Sequence, residues 1–206
     1  MLIFLPAKLA FLATPKTGTT AVETALKTEA EIIFRGSRKH TPAMRFRRKV
    51  VPFVEGTFGV TLEGTAVMRH PIDQIASWFR YRSSDRLDGS PLSTEGLSFE
   101  QFVSEVIDDD PPPRAQIGSQ FRFLTNGDGK VLVDHLFAYE AQPVFRSFLS
   151  ERLDREIKLK ARNVSPSKKT KLSRQAEERL RAARADEFAL YDRLLAADGH
   201  LHTPQG

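Results

Sequence analysis

Short apolar runs alternate with stretches of helical periodicity along the chain. Residues 9–13 form an apolar run that predicts a strand, and residues 19–27 carry apolar positions at helical spacing. Residues 31–34 and 64–68 are two further strand candidates. This alternation of strand and helix patterns is typical of an α/β protein.

Three helix starts carry a recognisable signal. Thr41 and Pro42 predict an N-cap followed by proline at the first helical position, which opens a basic helix towards Val51. Pro71 starts a helix through the segment IDQIASWFRYR, and residues 98–101, SFEQ, form a capping-box pattern. The sequence therefore predicts three further helices.

Turn signals divide the second half of the chain. The acidic and proline-rich residues 108–113 predict a surface loop, and residues 126–129, NGDG, predict a turn. Residues 131–139 predict one or two strands, and residues 141–153 predict a helix. Residues 173–197 predict one long final helix that is capped by its serine.

We expect these elements to form one domain over residues 1–206. The expected fold is an α/β three-layer sandwich with a mostly parallel central sheet flanked by helices. In such sheets ligands bind at the carboxyl ends of the strands. Candidate site residues are therefore those that follow the strand candidates.

Composition removes several classes of site. The chain has 206 residues and no cysteine, which excludes disulfides, thiolate zinc sites and thiol catalysis. Pro6 and Lys8 interrupt the apolar residues 1–13 and no basic region precedes them, so a buried strand is a better interpretation than a signal peptide. No apolar run reaches the length of a membrane-spanning helix. We expect a cytoplasmic protein because the sequence lacks export signals.

Positive charge is concentrated in two blocks, although the net charge is only +5. Residues 32–54 contain seven Lys or Arg and no acid, and residues 155–174 contain eight Lys or Arg and one Glu. Such blocks indicate an anionic partner, which could be nucleic acid, an acidic glycan, a membrane surface or a phosphate-rich cofactor. Two solvated basic faces explain the same blocks equally well.

A lysine, a glycine and several hydroxyl side chains follow the first strand candidate, in the segment PKTGTT at residues 15–20. A turn of small residues at a helix start exposes backbone N–H groups at the positive end of the helix dipole, which favours an anion. Lys16 adds a cation, and Thr17, Thr19 and Thr20 add hydroxyl donors. The alternative is an ordinary turn with a surface lysine.

The segment does not have the Walker pattern of nucleotide triphosphatases. In that pattern the lysine follows the second glycine, whereas here Lys16 precedes the only glycine, Gly18. Those enzymes also need an acidic residue at the end of a second strand to hold magnesium. Arg69 follows the 64–68 strand candidate instead. A kinase or nucleotide triphosphatase is therefore a weak interpretation.

PKTGTT at residues 15–20 and VMRHPIDQIASWFRYR at residues 67–82 resemble the two nucleotide-binding motifs of sulfotransferases that use 3′-phosphoadenosine 5′-phosphosulfate (PAPS). The resemblance implies that Arg69 and, eight residues later, Ser77 bind the 3′-phosphate. Pro71 falls where the R-x-P pattern of the family places it. The resemblance assigns the 5′-phosphosulfate to Pro15, Lys16, Thr17, Gly18, Thr19 and Thr20.

The resemblance extends at lower specificity over most of the chain. HLFAYE at 135–140, NVSPSKK at 163–169 and EFALYDRL at 187–194 resemble landmarks of the bacterial branch related to carbohydrate sulfotransferases. The chain is short for that family, so we expect reduced acceptor-binding insertions. The resemblance also implies that Lys168 and Lys169 close over the nucleotide, and a solvated basic connector is the alternative.

Transfer to a hydroxyl needs a base, and His40 is the candidate. It lies in RKHTP, after the 31–34 strand candidate, and sulfotransferases commonly use a His or Glu from this region. Lys39 beside it would lower its pKa and keep it neutral. An exposed histidine next to an N-cap is the alternative.

The remaining histidines have weaker claims. His70 is predicted to be a loop residue beside the cofactor and His135 a structural residue, whereas His200 and His202 are predicted to be incidental in a polar tail. The aromatic residues of the 71–82 helix are predicted to be core, with one of them available to stack on adenine: Trp78, Phe79 and Tyr81. The alternative bases are carboxylates: Glu23, Glu55, Glu63 and Asp73.

The sequence therefore predicts a PAPS-dependent, P-loop-like sulfotransferase. Lys16 and His40 would be catalytic, the acceptor would be a small molecule or glycan, and no metal or nucleic acid is expected. PAPS would leave adenosine 3′,5′-bisphosphate as its product. Three alternatives stay open: a kinase or nucleotide triphosphatase, a non-catalytic module that binds nucleic acid or acidic polymers, and a sulfotransferase-like protein without turnover.

Overall fold

The structure, a computed structural model, describes residues 1–159 and 170–205. It is an α/β fold built on a six-stranded mixed sheet. The strands in chain order are β1 (Leu2–Phe4), β2 (Leu9–Leu12), β3 (Ile32–Ile33), β4 (Glu63–Met68), β5 (His135–Ala138) and β6 (His200–His202).

The helices lie between these strands along the chain. Those in the first half are α1 (Thr19–Leu26), α2 (Ala43–Arg45), α3 (Val51–Phe58), α4 (Pro71–Arg82) and α5 (Phe99–Val106). Those in the second half are α6 (Gln120–Leu124), α7 (Gln142–Arg152), α8 (Arg174–Ala183) and α9 (Ala185–Ala196). Short 3₁₀ turns occupy Gly36–Arg38 and Asp85–Leu87. Among the described residues, no helix combines the length and the apolar character needed to cross a membrane.

Strand order across the sheet is β3-β1-β2-β4-β5-β6. The central strands β2, β4 and β5 are parallel, whereas the β3–β1, β1–β2 and β5–β6 pairings are antiparallel. The prediction of a mostly parallel sheet is therefore right only at the centre. It was wrong at both edges: β6 pairs antiparallel with β5, and residues 1–13 do not form one strand. Residues 5–8 turn, with Lys8 in the left-handed region at φ 53°, and fold β1 back onto β2.

Alternate side chains of the strands enter two separate apolar clusters, as the pleat requires. Leu12, Ala66 and Met68 face α2, α3 and α9, in the cluster on one side of the sheet. Phe11 and Phe137 face α1 and α7 on the other side, where their rings lie 6.0 and 5.2 Å from that of Phe145. Helices thus cover both faces, which gives the three layers that the pattern predicts.

The basic helix differs from its prediction at both ends. Pro42 is its N-cap rather than its first residue, and the helix continues through a π-helical stretch, Phe46–Val50, into α3. Pro52 has no N–H to bond residue 48, which is where the α-helical ladder would have continued. Gly59 ends α3 in the left-handed conformation at φ 65°.

The predicted final helix is two helices. Ser173 caps α8 as expected, its hydroxyl accepting from the Ala176 N–H, but the chain bends at Arg184, where φ is −120°. The bend lets α8 pack on α5 while α9 packs on β5 and β6. The predicted capping box at Ser98 and Gln101 is confirmed in α5.

Candidate active site

The carboxyl ends of the three parallel strands lie side by side, along the edge of the sheet that runs across the strands. The register pairs Leu12 of β2 with Ala66 of β4, and Met68 of β4 with Ala138 of β5. The segment after β2 holds the PKTGTT loop, Arg69 follows β4, and Tyr139 follows β5. The sheet therefore brings together the two motifs that lie far apart in the sequence.

The loop has the backbone of an anion cradle. Lys16 and Gly18 both have left-handed φ values, 66° and 74°, and Gly18 is the N-cap of α1 with no side chain capping the helix. The Thr17 hydroxyl donates to the Thr14 carbonyl at 2.9 Å and fixes the turn. A Cβ on Gly18 would lie 3.1 Å from the Tyr139 ring, so a side chain there would be strained by its backbone conformation and would press on that ring.

Lys16 is half-buried and turned towards aromatic rings. Its Nζ lies 4.1 Å from the Tyr81 ring centroid and 5.2 Å from that of Trp78. Burial, followed by the charges of nearby Arg69, Arg80 and Arg82, lowers the pKa of Lys16 to about 8. A group of positive charges that lowers the pKa of its own lysine is an environment in which a bound anion is favourable.

Arg69 is fixed through its backbone, whereas its side chain forms no ion pair within the described residues. Its N–H donates to Gln120 Oε1 and its carbonyl accepts from Gln120 Nε2, both at 2.9 Å. Gln120 is itself held by the buried carboxylate of Glu187. The Arg69 guanidinium lies 4.6 Å above the Tyr139 ring, and its buried Nε has no hydrogen-bond partner among the described residues. A buried donor left free in this way is suited to a ligand.

Ser77 lies on the buried face of α4. Gln74, one turn earlier on that face, reaches the Pro15 carbonyl at 3.5 Å, which ties α4 to the loop. Thr19 is buried at the start of α1, and Thr20 is half-buried beside it. The structure therefore sets the predicted cofactor-binding residues around one edge of the sheet.

His40 is attached to the same edge. Its Nδ1 lies 2.6 Å from the carbonyl oxygen of Ala13, the residue that follows β2. A carbonyl only accepts, so Nδ1 carries the proton and Nε2 is left as an acceptor. Burial lowers the pKa of His40, the bond to Ala13 opposes that shift, and Lys39 contributes the lowering that the sequence predicts. A neutral imidazole with a free Nε2 is what a general base requires.

Two of the four alternative carboxylates form ion pairs. Glu23 pairs with Lys39 at 2.8 Å, and Glu63 accepts from Arg152 and from His135. Glu55 lies on α3 and accepts from the Thr61 hydroxyl, and Asp73 lies in the first turn of α4.

The prediction for the polar tail was wrong. His200 and His202 belong to β6, where His200 stacks on Phe137 with ring centroids 4.1 Å apart and His202 stacks on His135 at 4.6 Å. His200 Nε2 also lies 3.1 Å from His135 Nδ1. Hydropathy gives no sign of this strand, because its histidines pack by ring stacking while remaining partly or fully exposed. His70 is the N-cap of α4, edge-on to Tyr191 at 5.3 Å.

Sequence reasoning missed two contributors to this edge, Tyr139 and Gln120, which both contact Arg69. Tyr81, predicted to be core, is instead 49% exposed and contacts Lys16. Tyr139 could have been found, because it ends the strand candidate 131–139. Gln120 carried no signal, since it acts through an amide on a short helix. Lys168 and Lys169, with the segment 163–169, lie outside the described residues.

Neither a protein-family model, nor a curated protein, nor a solved structure matches the chain. Within residues 1–159 and 170–205, no group of three or more His, Cys, Asp or Glu side chains is arranged to hold a metal ion.

Proposed function

We propose that the chain is a PAPS-dependent sulfotransferase with a P-loop-like nucleotide site. One observation carries this proposal: a lysine–glycine loop and an arginine end adjacent parallel strands, and neither Lys16 nor Arg69 forms an ion pair within the described residues. A ligand with anionic groups at two separated points fits that pair of cations. PAPS has such groups in its 5′-phosphosulfate and its 3′-phosphate.

The residues fit that ligand in two regions. The loop N–H groups and the hydroxyls of Thr19 and Thr20 would hold the 5′-phosphate at the start of α1. The guanidinium of Arg69 and the hydroxyl of Ser77 would hold the 3′-phosphate, which ATP lacks. The free Nε of Arg69 is the buried donor that this group would satisfy.

When bound, PAPS supplies the activated sulfuryl group. His40 Nε2 takes the proton of the acceptor hydroxyl, whose oxygen forms the new bond to sulfur. The bond from sulfur to the bridging phosphate oxygen breaks, and Lys16 stabilises the charge on that oxygen. The products are a sulfate ester, adenosine 3′,5′-bisphosphate and a proton left on His40.

A magnesium-dependent kinase is the less favoured function. Such enzymes need an acidic residue at the end of a second strand, and here β4 is followed by Arg69. A module that binds nucleic acid or acidic polymers through the basic blocks would need neither Lys16 nor Arg69, and its affinity would fall steeply with salt.

Calorimetric titration with adenosine 3′,5′-bisphosphate tests the proposal, with ATP and magnesium as the comparison. We expect the bisphosphate to bind more tightly than ATP to the wild type, and Arg69→Ala to weaken it roughly 10- to 100-fold, the value of one or more charged hydrogen bonds. Arg45→Ala, which removes an exposed charge from α2, is the matched control and should leave affinity nearly unchanged. Preference for ATP with magnesium, or equal loss in both variants, would overturn the assignment.

A further inference from the structure

The ammonium of Lys16 lies against two rings of α4 that are one turn apart. Its Nζ is 4.1 Å from the Tyr81 centroid and 5.2 Å from the Trp78 centroid, both within the range of cation–π attraction. The rings meet edge to face, with centroids 6.0 Å apart at 76°. Tyr81 is 49% exposed, so the ammonium is held at the surface of the site.

Trp78 also contacts a second cation. The Arg82 guanidinium lies 5.2 Å from the Trp78 centroid, and Arg82 is buried and donates to the Pro113 and Arg114 carbonyls. The indole therefore contacts two cations, one anchored by backbone oxygens and the other carried by the loop. The ring of Trp78 is positioned before any ligand is present.

The surrounding charges make the position of Lys16 unusual. Arg69 follows β4, Arg80 and Arg82 project from α4, and all three act on Lys16 with the same sign. No carboxylate pairs with Lys16 in the described part of the chain. Its left-handed backbone, at φ 66°, also costs energy for a residue with a side chain. Like-charge repulsion would drive the ammonium into solvent unless something held it.

We propose that Trp78 and Tyr81 are positioning residues that form an aromatic clamp, which holds the Lys16 ammonium beside the loop and releases it to an incoming phosphosulfate. A hydrogen bond between charged groups is stronger than a cation–π contact at a partly exposed site, and a bound anion also offsets the repulsion between Lys16 and the three arginines. The anion therefore displaces the rings. A carboxylate partner would have held the lysine more strongly and repelled the anion.

The release step rests on the proposed function, but the clamp is a property of the protein without nucleotide. It can be tested by NMR on protein with ¹³C-labelled lysine, in which Lys16→Arg identifies the Lys16 side-chain signal. Ring currents should shift the Lys16 Hε protons upfield. Tyr81→Leu and Trp78→Leu should each reduce the shift, and Tyr81→Phe should retain it. Phe53→Leu, which alters an exposed aromatic on α3, is the control.

Two anions separate this inference from the proposed function. Pyrophosphate should move the Lys16 signal towards that of an ordinary lysine, and adenosine 3′,5′-bisphosphate should do so at lower concentration. Response to pyrophosphate alone supports the clamp and contradicts the nucleotide assignment. An unshifted Lys16 signal in the free protein, a shift that survives loss of the rings, or a signal that stays unchanged when calorimetry shows pyrophosphate bound would overturn the clamp.

Kinetic measurements distinguish a positioning role from a purely structural one. Tyr81 is half exposed, so Tyr81→Leu should keep its unfolding midpoint. We expect it to lower kcat/KM for sulfuryl transfer about 3- to 10-fold, the range of a partly exposed cation–π contact. Tyr81→Phe should restore the wild-type value because it retains the ring. Equal losses in the Leu and Phe variants would contradict the clamp.

Discussion

The two ends of β4 differ in whether the nearby cations are paired with carboxylates. At its start, Glu63 accepts from Arg152, and the Asp134 carboxylate accepts from Arg47 and from the Gly64 N–H. At its other end, Arg69 forms no ion pair among the described residues. At the start of β4 the cations are paired with carboxylates, whereas the cation at its other end has no such partner in the described part of the chain.

Unpartnered polar atoms show a similar but weaker asymmetry. Among the described residues, four buried side-chain atoms have no hydrogen-bond partner: the Thr14 hydroxyl, Arg69 Nε and Trp78 Nε1 lie near the loop, and the Thr65 hydroxyl lies within β4. Unpaired buried donors and repelling cations lower stability, and a protein retains them where a ligand completes the arrangement. Cations that are paired with carboxylates therefore stabilise the fold, whereas cations without such a partner mark the candidate site.

Arg47→Ala should cause the largest loss of stability, because it removes the ion pair with Asp134 near the start of β4. It leaves the Asp134 carboxylate buried with an uncompensated charge, which costs about 3–5 kcal/mol when a buried pair is broken. Urea unfolding measures the loss, with Arg45→Ala as the exposed control. Refolded Arg47→Ala should still bind adenosine 3′,5′-bisphosphate with wild-type affinity. Loss of binding without loss of stability would reverse our assignment of the two ends.

Lys16→Ala should show the converse behaviour. Removal of a cation that acts on the transition state should lower kcat about 10²- to 10³-fold, or roughly 3–4 kcal/mol. The free energy of unfolding should stay constant or rise, because repulsion with Arg69, Arg80 and Arg82 is relieved. Sulfuryl transfer and urea unfolding are measured on the same preparation. Normal turnover in Lys16→Ala would contradict the mechanism.

Acid should lower the free energy of unfolding through His135 and His200. Burial, followed by the charges of His135 and His202, lowers the pKa of His200 to about 4, and burial also lowers that of His135 despite Glu63. The unfolded chain then binds more protons than the folded one between about pH 6.5 and 4, so stability falls as the pH falls through that window. After allowance for solvent screening we expect a loss of about 2 kcal/mol.

The variant His200→Phe identifies the source of this acid sensitivity. It removes the titrating group while keeping a ring to stack on Phe137. Unfolding free energies at pH 7.5 and 4.5 should differ less in the variant than in the wild type. An unchanged difference would place the sensitivity elsewhere in the fold.

Gly18→Ala should produce the smallest change. A side chain at φ 74° costs about 1 kcal/mol, and contact with the Tyr139 ring adds to it. Gly59→Ala is the matched control, because Gly59 is also left-handed but has nothing within 4 Å of its added Cβ. The difference between their unfolding free energies measures the close approach of the loop to Tyr139. Equal losses would show that the ring yields freely.

Elements with local signals were predictable from the sequence. The 9–13 and 64–68 runs became β2 and β4, and the caps at Ser98 and Ser173 begin helices as expected. Local rules fail where distant packing decides the structure. The division at Arg184 follows from two helices packing on different partners, which no window of sequence contains.

The candidate site divides in the same way. The loop and Arg69 were predictable because each follows an apolar run, and parallel strands align their ends. Trp78 and Tyr81 were predicted as core or as a platform for adenine, yet they contact Lys16. Their spacing of three residues places them on one face of α4, but only the tertiary fold brings a lysine from another element to that face.

The two hydrogen bonds between Gln120 and the Arg69 backbone have a consequence for folding during translation. During translation the loop and Arg69 leave the ribosome early, whereas Gln120 follows some fifty residues later and Glu187, which holds Gln120, is made later still. Arg69 therefore reaches its final setting only after α9 has been translated. A nascent chain that stops before α9 would carry both motifs and still lack a finished site.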